Sequence, residues 1–150
     1  MSIISFLDSM NISASALTAT RLRMDVIAEN MANSNTTRTE NGEPYRRKYV
    51  VFQERVDHSH GTPFASLFNR ARTAPGGVRV LEIGTDMSEF KYDYNPSHPD
   101  ADENGYVRMP NVEVVQEMVD MMSAYRAYEA NITALNTFKD MAVKTLDIGK

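Results

Sequence analysis

The chain contains no cysteine. Disulfides and thiolate metal sites are therefore excluded, and the redox character of its compartment is left open. Glycine and proline are missing from both ends. All six prolines, and every glycine except Gly149, lie between Gly42 and Pro110. The net charge of -4 argues against nucleic acid as the principal partner. No positive side chain precedes Arg21, and no run approaches the roughly 20 apolar residues that a membrane span needs. Export, if it occurs, would need a route other than a cleaved leader. No P-loop, G-x-S-x-G elbow or H-E-x-x-H helix is present, and no carboxylate spacing singles out an acid/base pair. Neither an enzyme nor a bound cofactor or metal is expected.

What the ends do contain is helical patterning. In the first segment Ile3, Phe6, Met10, Ser13, Leu17, Thr20, Met24, Ile27 and Met31 alternate steps of three and four, the spacing that keeps one seam facing a partner helix. Asn30, Asn33 and Asn35 follow, with side chains that favour turns over continued helix. The last segment repeats the pattern. Met118, Met121, Tyr125, Tyr128, Ile132 and Leu135 form one seam, which ends at Leu146, and a second row of mostly small residues runs from Ala124 through Phe138 to Met141. Asn111 is placed to cap this helix and Gly149 to end it. Two apolar faces on a helix some 35 residues long predict more than one neighbour, and a helix of that length is marginal in water without partners. The ends are therefore expected to become ordered as copies pack together.

The middle holds the turns. Arg47–Val56 and Val78–Ile83 are rich in β-branched and aromatic residues and read as strands of a small β-rich module. The polar stretch from Tyr94 to Pro110 reads as a connection rather than a core element. The fold class is α+β, with long terminal helices packed as one discontinuous, coiled-coil-like domain and a small β-rich module between them in the chain. The boundaries fall at 1–35, 36–110 and 111–150.

Three features invite chemistry and are read more simply. Asp100, Asp102, Asn104 and Gly105 match the first half of a calcium loop, but Arg108, Pro110 and Asn111 spoil the second half, so an acidic turn is expected. His58 and His60 could share a strand face, yet no third ligand is evident, and His98 lies in a distant loop. Arg46, Arg47 and Lys48 read as a solvated strand edge.

Three blocks carry a family resemblance: RMDVIAENMANSNTTRTENGEPYRRK at 23–48, NPSHPDADENGYVRMPNVEVVQEMVDMM at 95–122, and SAYRAYEANITALNTFKDMAVKTLDIG at 123–149. In these blocks the chain resembles the rod and hook axial proteins of the bacterial flagellum, and the short proximal rod proteins among them. The match is least clear over 58–73. The resemblance implies a structural subunit without catalytic residues that polymerises through its terminal helices into a hollow drive shaft around the export channel. The partners it implies are other copies of the chain, proximal and distal rod proteins, and the adaptor to the membrane-embedded MS ring, with the type III export apparatus met in transit. Neither nucleic acid nor direct membrane insertion is implied. The place it implies is the basal body, in the periplasm, reached without a cleaved signal peptide. Subunit packing is then expected from Ile3, Phe6, Met10, Leu17, Met24, Ile27, Met31, Met118, Met121, Tyr125, Tyr128, Ile132, Leu135, Phe138 and Leu146.

Overall fold

The computed structural model describes residues 3–56 and 75–148. Helix α1 (Ile3–Ala32) is followed by strands β1 (Lys48–Val56), β2 (Pro75–Thr85), β3 (Lys91–Tyr94) and β4 (Tyr106–Met109), and the chain ends in helix α2 (Val114–Ile148). The class is α+β, as the patterning predicts. β1 pairs with β2 and β3 with β4. His58 and His60 lie outside the described residues, as do the side chains of Ile3 and Phe6.

Both helices are rich in hydroxyl and amide side chains, which would compete with the backbone if left unpaired. Several of them turn back on their own helix. Thr18 donates to Ala14 O and Thr20 to Ala16 O in α1, while Asn131 donates to Ala127 O and Thr137 to Thr133 O in α2. α1 stops where polar side chains take up its last carbonyls: Asn33 donates its Nδ2 to Glu29 O at 3.0 Å and Ser34 its Oγ to Met31 O at 2.9 Å.

The chain divides into two compact units, one built on Met1–Arg21, Phe52–Leu81 and Tyr125–Lys150, the other on Leu22–Val51 and Glu82–Ala124. In the first unit, β2 begins against α1. The Ser15 hydroxyl donates to Ile12 O at 2.7 Å and accepts the Val78 amide at 3.1 Å. Gly77 makes that approach possible: its φ is +89°, and a Cβ there would lie 2.2 Å from Ser15 Oγ and 3.3 Å from Ile12 Cα. Across the strand pair, Arg79 sets both Nε and Nη2 on Gln53 Oε1 at 3.1 and 2.7 Å.

The core of the second unit gathers Val26 and Ile27 of α1, Tyr45, Val107, Val112 and Ala124. Here the structure corrects the reading of Tyr94–Pro110 as a mere connection. That stretch contains β4, paired antiparallel with β3 from Lys91 opposite Met109 to Tyr94 opposite Tyr106, and Val107 is only 1% exposed. The turn between the strands holds itself. Asp102 Oδ1 accepts the amides of Asn104 and Tyr106, both at 2.9 Å, Gly105 sits at φ +80°, and the Tyr94 and Tyr106 rings meet edge to face at 5.2 Å. Side-chain acceptors and a left-handed glycine replace the apolar alternation that normally signals a hairpin.

Candidate functional site: a buried polar cluster and exposed helical faces

The most completely buried side chains of the second unit include two polar ones, Asn30 and Glu117, each 0% exposed. Burying a carboxylate is costly unless charge and hydrogen bonds answer it. Here they do. Arg47 Nε lies 2.7 Å from Glu117 Oε1, Asn30 Nδ2 donates to Glu117 Oε2 at 3.1 Å, and Arg47 Nη2 reaches Asp120 at 3.6 Å. Asn30 uses its whole amide: Nδ2 also donates to Lys48 O at 2.8 Å, while Oδ1 accepts the Lys48 amide and the Tyr45 hydroxyl, both at 2.9 Å. Burial pushes the Tyr45 phenol up to about 12, with the negative charges of Glu29 and Glu117 adding to the shift. The cluster joins the end of α1, the start of β1 and the first turns of α2 with no buried side-chain polar atom left unpaired among the described residues.

Three expectations change at this joint. Asn30 is not a turn residue: it lies within α1 and acts as a core polar strut, while Asn33 and the exposed Asn35 occupy the turn itself. Asn111 does not cap α2 but braces the chain before it, accepting the Arg47 amide at 2.8 Å and donating to Asp86 O and Ser88 Oγ at 3.0 and 2.9 Å. The helix instead takes its first bond from the Glu117 amide to Glu113 O at 2.9 Å. Arg47 is not a solvated edge residue, because Glu117 draws it inward, and Lys48 pairs with Glu29. Arg46 and Lys48 keep to the surface: the paired Lys48 and Glu29 side chains are 36% and 43% exposed, and Arg46 is stacked 4.1 Å above the Phe90 ring. Beside it, hydrogen bonds from Ser88, followed by Arg47 and Arg46, hold the Asp86 carboxyl below the usual carboxylate range. A polar side chain buried in a helix looks the same in sequence as one that ends it. Glu113, Glu117 and Asp120 all interrupt the apolar run Val112–Met122, so the sequence alone does not single out Glu117.

The two seams are treated unequally. In α1, Ile27 is buried and Met10, Leu17, Met24 and Met31 are half-buried. In α2, Met121, Tyr128, Leu135 and Phe138 are half-buried, while Met118, Tyr125, Ile132 and Leu146 are exposed, the last at 73%. Within the second unit the exposed apolar positions of α2 are Val115, Met118, Val119 and Met122. Their i, i+3, i+4, i+7 spacing makes one continuous face. Val115, Val119 and Met122 fall outside the predicted seam. The chain turns Glu117 and Ala124 inward and leaves the larger apolar residues outside.

The acidic loop is occupied by its own chain. Asp100 accepts the Thr37 hydroxyl at 2.8 Å and lies 3.8 Å from Arg38, and Asp102 is committed to the turn. An open polar groove of about 500 Å³ runs beside it, lined by Arg38, Tyr92, Asp100, Tyr106 and Arg108 among others. Among the described residues no three histidine or acidic side chains converge as metal ligands, and no helix is long and apolar enough to cross a membrane.

Family models for the flagella basal body rod protein and for the flagellar basal body rod FlgEFG protein C-terminal match residues 10–38 and 103–148, the segments that carry Asn30 and Glu117. Long terminal helices around a small β-containing middle, with both ends matched, define the class: the chain is a flagellar basal-body rod protein, a structural component of the motility apparatus. Full-length relatives narrow this. The chain is 49% identical to the flagellar basal-body rod protein FlgC of Bacillus subtilis over 95% of this chain and 97% of the relative. It is 46% identical to that of Borreliella burgdorferi over 93% and 95%, and 45% identical to that of Salmonella typhimurium over 96% and 98%. It belongs to the FlgC family.

Proposed function

We propose that this rod subunit polymerises through its terminal helices into the hollow proximal shaft of the basal body, where it surrounds the export channel and transmits torque. On this reading 1–35 and 111–150 form the inner domain of the rod and 36–110 lies outside it. The partners are other copies of the chain and the neighbouring rod and ring-adaptor proteins. The subunit reaches the periplasm through the flagellar export apparatus. The observation that carries the reading is the exposed apolar surface of α2. A 35-residue helix of which, among the described side chains, only Glu117 and Ala124 are fully buried by its own chain has large side chains available for neighbours. Interlocked long helices resist shear because each displacement must unseat many packed side chains at once.

The test is Leu135→Asp in cells lacking their own copy. The expected result is normal expression of the variant with no assembled rod and no swarming. Wild-type swarming would remove α2 from the interface.

A further inference from the structure

Three of the ten methionines fall within five residues of α2: Met118, Met121 and Met122. Met118 and Met122 are 49% and 55% exposed and stand four residues apart on the face they share with Val115 and Val119. Met121 is half-buried, as are Met10, Met24, Met31 and Met109. The chain offers an oxidant no thiol, which would otherwise compete for it.

We infer that Met118 and Met122 are an oxidation-sensitive modification site of the unassembled subunit, at which conversion to the sulfoxide by a peroxide-class oxidant removes competence for assembly. The inference rests on the reading of α2 as a packing surface. In the step, a thioether sulfur lone pair attacks one peroxide oxygen as the O–O bond breaks. That oxygen becomes the sulfoxide oxygen, and the other leaves as water after taking up the proton. Sulfur is oxidised by two electrons and hydrogen peroxide is reduced by two. The product is a polar, chiral group on a face otherwise lined by Val115 and Val119, where a burying neighbour would have to supply a donor to each new oxygen. Packing would itself shield the two sulfur atoms, so the sensitivity belongs to the subunit before it is seated.

The full chain treated with hydrogen peroxide and mapped by peptide mass spectrometry is expected to gain oxygen at Met118 and Met122 several-fold faster than at Met24 and Met31. Met87, 76% exposed in the loop after β2, serves as an accessible control outside the helix. In cells lacking their own copy, the Met118→Leu/Met122→Leu pair, which keeps the face apolar, is the reference for the change in side-chain shape alone. The Met118→Gln/Met122→Gln pair, which mimics the polar product, should lose swarming, and Met87→Gln should be silent. Equal urea midpoints of the purified Leu and Gln pairs would exclude misfolding as the cause. Oxidation no faster than at Met24, or normal swarming of the Gln pair, would overturn the inference. Leu135→Asp separates this from the underlying reading: if it blocks assembly while the Gln pair does not, the modification site alone fails.

Discussion

Replacing Glu117 by Ala tests whether the buried cluster holds the second unit together. The variant removes the 2.7 Å bond from Arg47 and the 3.1 Å bond from Asn30. Hydrogen bonds to a charged group contribute about 1.5–3 kcal/mol each. Several features reduce that sum: the Arg47 side chain is 26% exposed, it keeps Asp120 at 3.6 Å, and Asn30 Nδ2 keeps Lys48 O at 2.8 Å. The expected loss is therefore about 3 kcal/mol, the lower end of what breaking a buried ion pair costs. Glu113 provides an internal control one helical turn earlier. It pairs with Lys91, but the two side chains are 64% and 50% exposed, so Glu113→Ala should cost less than about 1 kcal/mol. Urea unfolding of the purified chains, followed by circular dichroism, measures both. A double-mutant cycle of Glu117→Ala with Arg47→Met should return a coupling of about 1–3 kcal/mol between the two residues. Equal midpoints for Glu117→Ala and Glu113→Ala would refute the claim that burial, rather than mere charge pairing, makes Glu117 matter.

Other expectations follow from single contacts. Tyr45 has a folded-state phenol at about 12 against an ordinary 10.0, so between those values the unfolded chain loses a proton that the folded chain keeps. Its contribution to stability is complete below pH 10 and is lost as pH rises towards 12. Absorbance titration should show a phenol ionising at about pH 12, and Tyr45→Phe should abolish that step. Gly77→Ala places a methyl 2.2 Å from Ser15 Oγ on a backbone at φ +89°, and should destabilise the first unit by roughly 1–3 kcal/mol, measured by urea unfolding.

The helices were legible because their evidence is distributed. Thirty residues without glycine or proline, with apolar steps of three and four, admit few other readings, and β1 and β2 announce themselves through β-branched runs. The β3–β4 hairpin was not legible for the opposite reason. Each strand has four residues, its burial rests mainly on Val107, and its turn is held by Asp102 and Gly105 rather than by an apolar pattern. Asn30 and Glu117 were hidden by distance: 87 residues separate them, and nothing local marks either as buried. The exposed seam was visible in Met118, Tyr125 and Ile132, but the adjoining face of Val115, Val119 and Met122 emerged only once Glu117 was seen to point inward. A helix that buries a charged residue must present another side to its surroundings, and its sequence does not say which.

The absence of cysteine makes the central claim directly measurable. A single cysteine placed at Met118, Ile132 or Met87 is the only thiol in its chain, and its reaction with a maleimide can be compared between the purified subunit and isolated basal bodies. If α2 packs against neighbouring subunits in the rod, the thiols at Met118 and Ile132 label readily in the free chain and become protected in the basal body. Labelling at both positions in the basal body at the rate seen in the free chain would contradict assembly through this helix.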